Sequence, residues 1–467
     1  MEKVNVRISG IEINRFKNVI KGTLSFENPR KDYKASILGL YGQNGSGKTT
    51  LIDAIELLKC ILSGNSIDQK FADYINVDSK EAEIIYSFSL ENGKEKMDVH
   101  YRILIGTQSD DGSGKKVRIL NESLRCPILS DKRVQQGKLI ETDASDLFVP
   151  VPKRQLLVGK DKDDMLSMLV AKKLTEAQSR SFIFSEELIG HIRDRVNSDL
   201  LEESQKEEIL YYFRILFSLS NYGKRELYVI NTRNSGIIAL NVQPLMFKYE
   251  DGKRGAFGGM VFDLNGPCII HENQMEIAEK VIASMNLVLK QMIPGLTIGI
   301  RELGTELMEN GEVGHRIQFV SERDQREIPL NYESEGIKKI ISILQLLIVV
   351  FNQPSVTLAV DELDSGIFEY LLGELLSIIA EKGKGQLIFT SHDLRPLETI
   401  DRGFIAFTTT NPENRYVRLS GIKESNNLRD CFYRNIMLGG SEEELYDHTN
   451  NSEIALAFME AGEHSGS

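Results

Sequence analysis

One short run constrains the fold of this 467-residue chain more than any other. Residues 42–50 read GQNGSGKTT and fit the phosphate-loop pattern G-x-x-x-x-G-K-[ST]. An apolar stretch at 36–41 predicts a buried strand before the run, and apolar residues recur at helical spacing after it, from 51 to 62. A phosphate loop needs this strand-loop-helix context, because its glycines turn backbone N–H groups toward phosphate oxygens at the positive end of a helix. Lys48 is expected to reach the β- and γ-phosphates and Thr49 to bind Mg²⁺. The predicted nucleotide-binding residues of the loop are Gly42, Asn44, Gly45, Ser46, Gly47, Lys48, Thr49 and Thr50.

A second glycine-rich run, at 112–116, provides an internal comparison. It reads GSGKK, but Ser109 stands where the first glycine of the pattern belongs, and Lys116 stands where the magnesium-binding Thr or Ser belongs. Asp110 and Asp111 precede the run and would repel phosphate. The run therefore predicts a solvated turn.

Composition argues against several classes of protein. Lys and Arg number 56 against 68 Asp and Glu, and the net charge of −12 argues against a protein that coats nucleic acid through bulk charge. The four cysteines lie outside any C-x-x-C pair or zinc-ligand spacing and fit a reducing cytosol. The N-terminus lacks the apolar core of a signal peptide, and the most apolar run, 340–351, is too short to span a bilayer. We therefore expect a cytoplasmic protein with no membrane partner.

Hydrophobic periodicity outlines the remaining elements. The alternation around Gly10 predicts an edge strand with a bulge, residues 161–164 predict a polar loop, and residues 462–467 predict a mobile tail. No heptad pattern persists, so we expect no long coiled-coil arm. Strands are predicted at 83–90 and 99–105 around a turn at Asn92-Gly93 and within 225–272, and helices at 186–195, 202–219, 274–292 and 337–351.

A pair of carboxylates follows an apolar stretch in the C-terminal half of the chain. Residues 356–360 predict a parallel strand buried on both faces, and it ends in Asp361 and Glu362. In a phosphate-loop enzyme, the carboxylate at such a strand end helps to hold Mg²⁺, the role expected of Asp361. The adjacent Glu362 is placed to polarise the attacking water. The alternative interpretation is an acidic cap at a helix N-terminus.

Two further segments carry polar residues at the ends of predicted elements. Residues 386–390 predict another apolar strand, and His392 follows it at the edge where α/β sheets bind ligands. We expect His392 to contact the γ-phosphate, with a purely structural histidine as the alternative. Ser334 and Gly336 precede an apolar helix, where they serve either as an N-cap or to present a hydroxyl and N–H groups to a second phosphate.

Together these residues resemble the ABC-type ATPase heads of the SMC/RecF class. The resemblance implies an α/β fold, an ABC-type P-loop ATPase head with a large inserted mixed α/β lid or interaction subdomain. It implies ATP and Mg²⁺ as ligands, with Lys48, Glu362 and His392 as catalytic residues. It also implies that two chains pair face to face, with Ser334 and Gly336 of one chain acting on ATP held by the other. No Q-loop glutamine is evident, and Gln69 is a weak candidate. The matching parts are the 42–50 loop, a divergent signature Ser334-Glu335-Gly336, Asp361-Glu362, the Asp364 loop, His392 and the opening pattern Ile11-x-Ile13-x-Arg15-Phe16-Lys17. The resemblance implies that Asp364 binds the nucleotide.

The wide spacing of the two site halves leads to a prediction of domain organisation. Lys48 and Asp361 are 361 − 48 = 313 residues apart, whereas ABC heads without large insertions are more compact. We therefore expect four regions. They are an N-terminal ATPase lobe with the phosphate loop at 1–109, an inserted helical and mixed subdomain at 110–295, a C-terminal ATPase lobe at 296–420 and a C-terminal extension at 421–467.

Because no long coiled coil is predicted, the chain is more similar to the compact ATPases of bacterial antiphage systems. These are the ATPase part of overcoming-lysogenization-defect nucleases and the ATPase subunits of Septu and PARIS systems, and residues 361–370 look particularly like the PARIS type. The resemblance implies a homodimer at minimum or a larger homo-oligomer. It further implies a separate effector, a nuclease or toxin, and a phage-derived trigger.

Other functions fit the sequence less well. A RecF-like ATPase of DNA repair or maintenance is the main alternative, but the basic pairs at 132–133 and 153–154 are small, have acids nearby and do not form a DNA track. A nucleotide-binding subunit of a transporter fits poorly with the long insertion and the missing Q-loop. A nuclease within the chain is not expected, because the 57 residues after 410 are too few for a TOPRIM domain. The polar clusters at 161–164 and 446–451 also lack the setting of a metal centre.

Overall fold

The computed structural model describes most of the chain. The described residues are 4–93, 95–110, 114–128, 135–142, 146–198, 201–232, 242–251, 254–308, 311–323, 326–419, 427–438 and 443–464.

Strands and helices are numbered in chain order within these ranges. The strands are β1 (Asn5–Phe16), β2 (Val19–Ser25), β3 (Ser36–Tyr41), β4 (Glu81–Asn92), β5 (Glu95–Asp110), β6 (Gly114–Ile128), β7 (Gln135–Thr142), β8 (Leu227–Ile230), β9 (Val242–Asp251), β10 (Arg254–Asp263), β11 (Cys268–His271), β12 (Thr297–Leu307), β13 (Val313–Arg323), β14 (Arg326–Pro329), β15 (Thr357–Val360), β16 (Gln386–Thr390), β17 (Ile405–Thr408) and β18 (Tyr416–Val417). The α-helices are α1 (Lys48–Leu62), α2 (Val151–Leu157), α3 (Lys162–Ala177), α4 (Glu186–Val196), α5 (Glu203–Arg225), α6 (Glu272–Met292), α7 (Glu335–Asn352), α8 (Glu369–Lys382), α9 (Pro396–Thr399), α10 (Leu428–Leu438) and α11 (Asn451–His464).

A mostly parallel sheet forms the centre of the fold and carries the candidate site. Its strand order is β18-β17-β3-β16-β15-β8, and all neighbours except β17 and β18 are parallel. The strands are apolar because both faces of the sheet are covered. Along β16, Ile388 packs into one hydrophobic core, and Leu387 and Phe389 pack into the other. The predicted strands at 36–41, 356–360 and 386–390 are confirmed, and their carboxyl ends meet at one edge.

An antiparallel sheet covers one face of the central sheet together with α1. Its order is β2-β1-β4-β5-β6-β7, and the hairpin predicted at Asn92-Gly93 is confirmed. The Tyr86 hydroxyl donates to the Ala54 carbonyl at 2.7 Å and ties this sheet to α1. A register shift between Ile8 and Gly10 confirms the predicted bulge. The prediction of an edge strand was wrong, because β1 pairs with β2 on one side and β4 on the other.

The sheet topology shows which sheets the strands of the segment 110–295, predicted to be an inserted subdomain, belong to. β6 and β7 extend the antiparallel sheet that begins in the N-terminal lobe, and β8 is a strand of the central parallel sheet. β5 ends and β6 begins where Asp110 pairs with Gly114, so the boundary at 110 falls at the tip of a hairpin. Of the turn predicted at 112–116, residues 112–113 lie outside the described residues and residues 114–116 are the first residues of β6 rather than a turn. Periodicity reports the type of an element but not the sheet it joins, so the segment looked separate in the sequence.

On the second face of the central sheet, α7 packs against β15, and α6 packs against α7 and the smaller sheet β11-β13-β12 with β14. The predicted helices at 186–195, 202–219, 274–292 and 337–351 are confirmed as α4, α5, α6 and α7. Among the described helices, none is long and apolar enough to cross a membrane.

Two local predictions are corrected. Residues 161–164 are not a loop: the Asp161 carboxylate accepts the Asp163 N–H at 3.1 Å and caps α3, whose first turn contains Asp163 and Asp164. Acidic residues suit this position because they complement the positive end of the helix. The tail predicted from 462 begins inside α11, which continues to His464. The last three residues of the tail lie outside the described residues.

Candidate active site

The phosphate loop connects β3 to α1 in the conformation that its glycines predict. Gly42, Gly45 and Gly47 have φ values of +154°, +76° and +98°, a region that residues with side chains rarely adopt. A Cβ on Gly42 would lie only 1.8 Å from the Thr408 hydroxyl of β17, so the loop cannot tolerate a side chain there. Gly47 is the N-cap of α1, and no side chain caps that end of the helix. The first-turn N–H groups are therefore not engaged by a capping side chain, which suits binding of a phosphate.

Other residues of the loop brace its shape. The Ser46 hydroxyl pairs with the Thr408 hydroxyl, and the Thr50 hydroxyl donates to the Asn18 side chain at 3.0 Å. The Asn18 amide in turn donates to the Gly45 carbonyl. Ser46 and Thr50 are buried, whereas Asn44 and Gly45 are exposed at the tip. Asn44 and Gly45 are thus the loop residues most open to a ligand or a second chain.

Lys48 folds over the loop. Its Nζ donates to the carbonyls of Gly42 and Gln43 at 2.8 and 2.9 Å. Burial lowers the pKa of Lys48, and the charges of Asp361, Glu362 and Asp364 oppose that shift. A cation held near the three carboxylates and the loop is suited to bind anionic phosphate oxygens.

Asp361 joins the two halves of the predicted site. It follows β15, is fully buried, and accepts the Thr49 hydroxyl on Oδ2 at 3.0 Å, across 312 positions of sequence. Its Oδ2 also accepts the Thr232 hydroxyl at 2.6 Å, and its Oδ1 accepts the Thr390 hydroxyl at 2.6 Å. Three threonine hydroxyls, from α1, β16 and the segment just after β8, therefore orient a single carboxylate.

Thr232 was missed by sequence reasoning. It lies just beyond β8, in the segment predicted to be part of an insertion, and belongs to no motif. The available signal was the same one that identified Asp361 and His392, namely polar residues directly after a short apolar strand. That signal identifies Thr232 as a site residue only once β8 is known to pair with β15.

The donor set fits Mg²⁺. Thr49 and Asp361 offer a hydroxyl and a carboxylate oxygen side by side, and Mg²⁺ prefers oxygen ligands, usually one or two from the protein with the rest from water and phosphates. Within the described ranges, no group of three or more His, Cys, Asp or Glu side chains is placed to hold a metal ion. A magnesium ion at Asp361 would therefore be held jointly with the nucleotide.

Glu362 is held by its backbone in an uncommon conformation. Its φ is +50°, in the left-handed region that non-glycine residues rarely adopt. Its N–H donates to the Thr390 hydroxyl at 2.7 Å, and its carbonyl accepts the Lys339 Nζ. Burial lowers the pKa of Lys339, against the opposing charges of Asp364, Glu362 and Asp361. Sequence reasoning did not identify Thr390 or Lys339 as site residues.

The remaining predicted residues surround the loop 361–366. The Asp364 carboxylate accepts the backbone N–H groups of His392 and Asp393, both at 3.1 Å, and the His392 side chain is exposed. Ser334 is the exposed N-cap of α7 and accepts the Ile337 N–H at 3.3 Å. The capping interpretation is therefore correct, and it leaves the hydroxyl accessible. Action of Ser334 on the nucleotide of a second chain remains a prediction.

Gly336 packs directly against the same loop. A Cβ on Gly336 would lie 1.8 Å from the Gly366 carbonyl oxygen, so only glycine permits this approach. Gly366 itself has a φ of +76°. The beginning of α7 and the loop after Glu362 are therefore in backbone contact.

Two other predicted features lie apart from the site. Gln69, the Q-loop candidate, is exposed in a short 3₁₀ helix at Gln69–Ala72 that lies against β6. Lys153 pairs with Glu208 at 2.5 Å, and Arg154 pairs with Asp146. Both cations are thus engaged within the chain. The basic pair at 132–133 lies outside the described residues.

The C-terminal segment contacts the phosphate loop, which the sequence did not indicate. The Gln43 side-chain amide donates to the Asp447 carboxylate at 3.2 Å, and the Asp447 N–H donates back to Gln43 Oε1 at 2.9 Å. The Thr410 N–H donates to the Glu444 carbonyl at 2.8 Å, and Leu445 is buried. Residues 443–447 of the predicted C-terminal extension thus pack beside the phosphate loop.

Comparison with known proteins identifies related sequences for parts of the chain. Residues 37–123 match the family model described as "AAA domain, putative AbiEii toxin, Type IV TA system", a stretch that includes β3, the phosphate loop and α1. The match covers 87 of the 467 residues. One of the subunits of the nuclease SbcCD from Clostridium acetobutylicum is 25% identical over 236 residues, which cover 44% of this chain and 19% of that protein. The chain therefore spans less than a fifth of the length of that curated relative.

The solved structures that align with most of this chain are less similar to it in sequence. The Smc head bound to the C-terminal winged-helix domain of ScpA has a TM-score of 0.40 and 15% identity, covering 89% of this chain and 98% of that one. The recombination mediator RecF with ATP has a TM-score of 0.36 and 14% identity, covering 89% of this chain and 100% of that one. Likenesses at this level say nothing about what this chain binds or does.

Proposed function

We propose that this chain is an ATP-binding and ATP-hydrolysing P-loop ATPase. The observation that carries the proposal is the hydrogen bond between Thr49 of the phosphate-loop helix and Asp361 at the end of β15. Two motifs far apart in sequence meet there in the arrangement that Mg²⁺-dependent nucleotide hydrolysis needs. The match of residues 37–123 to an AAA-type family model supports the nucleotide-binding half.

The roles of the residues follow from their chemistry. Gly42 to Thr50 bind the phosphates through backbone N–H groups, and Lys48 contributes a positive charge to the β- and γ-phosphates. Thr49 and Asp361 would hold Mg²⁺, which when bound neutralises phosphate charge. Glu362 accepts a hydrogen bond from the attacking water and orients it toward the γ-phosphate.

We further propose that two copies of the chain complete each site. Ser334 is the exposed N-cap of α7, at the positive end of that helix. This helix end is a different element from the phosphate loop that would bind the nucleotide of the same chain. A hydroxyl and first-turn N–H groups at a helix end can bind a phosphate presented by another chain. ATP bound between two chains then stabilises the dimer by mass action, and hydrolysis releases it.

In this proposal the product is a change of assembly that controls a separate effector, a nuclease or toxin, in bacterial antiphage defence. A homodimer or larger homo-oligomer in the cytoplasm would respond to a phage-derived trigger. Support comes from the resemblance of residues 361–370 to the PARIS type and from the matched family model, whose description names a putative toxin.

Complementation between two inactive variants tests the shared site. Glu362→Gln should bind ATP but turn it over at least about 10²-fold more slowly, since the residue that orients water is lost. Ser334→Arg should bind ATP and also fail to hydrolyse it. A mixed dimer of the two variants has one intact site. At that site the Ser334→Arg chain supplies both the phosphate loop and Glu362, and the Glu362→Gln chain supplies Ser334.

Turnover should therefore reappear on mixing and rise with the concentration of the second variant. Lys48→Ala, which should not bind ATP, serves as the negative control for the binding assay. If the mixture stays at the level of the separate variants, the two-chain site is wrong. If Lys48→Ala binds ATP tightly, the phosphate-loop assignment is wrong.

A DNA-processing ATPase that works beside a nuclease is the second candidate. The observation that favours it is the sequence similarity over 236 residues to a component of the SbcCD nuclease. Binding to duplex DNA that weakens steeply with added salt would support this role, because neutralised phosphates release counterions. Absence of DNA binding at low salt, with and without ATP, would remove it.

A further inference from the structure

We propose that Lys339 is a positioning residue for Glu362. Lys339 holds the backbone carbonyl of Glu362 and thereby connects Glu362 to the beginning of α7, where Ser334 and Gly336 lie. This inference rests on the proposed ATPase function. Lys339 lies in the second turn of α7, and its Nζ donates to the Glu362 carbonyl. The contact spans 23 positions of sequence, and no motif includes it.

Glu362 is restrained at both of its peptide groups. Its N–H donates to Thr390, and Thr390 also donates to Asp361, so one face of the residue is fixed to the carboxylate that would hold Mg²⁺. Its carbonyl accepts Lys339 on the other side, and the Ser365 N–H at 3.1 Å. With φ at +50°, the residue needs such restraints to remain in place, because a non-glycine residue is strained there.

A charged side chain is an unexpected choice for a purely packing role at this position. Lys339 is only 4% exposed, and burying a cation is costly unless charges or hydrogen bonds compensate it. The compensating groups are the Glu362 carbonyl and the charges of Asp361, Glu362 and Asp364, all in the loop that would carry out hydrolysis. The buried charge of Lys339 is thus stabilised by groups of the candidate site itself.

The same helix touches the loop at a second point. Gly336 packs on Gly366, one turn before the Lys339 contact, and Ser334 caps the helix just before both. A phosphate bound at Ser334 from a second chain would act on the end of α7 that holds Glu362. Lys339 therefore links the nucleotide bound by the partner to the water-orienting residue of its own chain.

Substitution of Lys339 tests the inference, with a second buried lysine as a matched control. Lys339→Met keeps the length of the side chain and removes the donor. Lys172 in α3 is 2% exposed, and its Nζ also donates to a backbone carbonyl, that of Asp146, so Lys172→Met makes the same change outside the site. Lys339→Met should lower kcat about 10²-fold, the cost of misplacing a catalytic group by about 1 Å. ATP affinity in both variants and kcat in Lys172→Met should match wild type.

Two further variants separate positioning from general stability. Lys339→Arg keeps the charge and the donors and should restore part of the lost kcat. In a Glu362→Gln background, Lys339→Met should have no further effect, because residues that act as a unit are not additive. A wild-type kcat in Lys339→Met, or a parallel loss of ATP binding and kcat, would overturn the inference. A wild-type kcat in Glu362→Gln would instead contradict the proposed function.

Discussion

Gly336→Ala is the smallest change that should separate nucleotide binding from hydrolysis. The added Cβ would lie 1.8 Å from the Gly366 carbonyl oxygen, whereas ordinary contact begins at 3.4 Å. The beginning of α7 and the loop after Glu362 must therefore move apart by roughly 1.6 Å. The obstructing atom belongs to the backbone, so no side chain can rotate out of the way.

The displacement falls on the residues that would orient water and on the end of α7 proposed to meet the partner's nucleotide, and it leaves the phosphate loop of the same chain untouched. A misplacement of about 1 Å can cost about 10²-fold in rate, which is the fall in kcat that we expect. ATP affinity should change by less than about threefold, or under about 0.7 kcal/mol. Overpacking costs about 1–3 kcal/mol in the free energy of unfolding. The higher helix propensity of alanine recovers up to about 1 kcal/mol of that cost.

Steady-state ATP hydrolysis, equilibrium ATP titration with Mg²⁺ and urea unfolding provide the three measurements. Gly190→Ala is the matched control, because Gly190 lies in α4 with no atom within 4 Å of the added Cβ. This control should keep wild-type kcat and gain about 1 kcal/mol of stability. Wild-type kcat in Gly336→Ala would show that the contact between α7 and the Gly366 loop does not position Glu362, and loss of ATP binding in step with kcat would contradict the prediction as well.

Two further predictions concern residues outside the motifs. Thr232→Ala should lower the Mg²⁺-dependent kcat by about tenfold, since a hydrogen bond to a charged group is worth about 1.5–3 kcal/mol. Thr232→Ser should restore kcat, and equal activity in the alanine and serine variants would exclude a role for the hydroxyl. Burial raises the pKa of the Glu122 carboxyl above 4.5, although four donors, from Tyr101, Ser181, Phe182 and Ile183, converge on it. The folded state therefore holds the proton more tightly than the unfolded state. In urea unfolding, the free energy of unfolding of wild type should rise relative to that of Glu122→Gln as the pH falls from 7 toward 4.5. A difference between the two proteins that does not change with pH would contradict the raised pKa.

The parts of the candidate site that can be located from sequence are those set by neighbouring residues. The glycines at 42–47 encode a turn and Lys48 and Thr49 follow at fixed offsets, so the loop and the start of α1 need no knowledge of the rest of the chain. Asp361 and His392 were located because polar residues directly follow apolar strands. The structure brings the Asp361 carboxylate to the Thr49 hydroxyl and the His392 backbone to Asp364.

The residues that sequence reasoning missed act through contacts between distant segments. Thr232, Thr390 and Lys339 contact Asp361 or Glu362, but none belongs to a local pattern that marks a site. The contact between Gln43 and Asp447 joins residues 404 positions apart. Contacts of this kind depend on which elements pack together, so the spacing of residues along the chain cannot reveal them.

Local patterns in the amino-acid sequence are enough to locate the phosphate loop, the buried strands and helices around it, and the carboxylates at the end of β15. Local backbone preferences and the periodicity of burial fix these features. The order of the strands, including the place of β8 beside β15, is visible only in the three-dimensional structure. So is the way in which α7 is held against the loop of Glu362. Strand order and helix docking follow from the burial of whole apolar faces, a long-range free energy that no short stretch of sequence records.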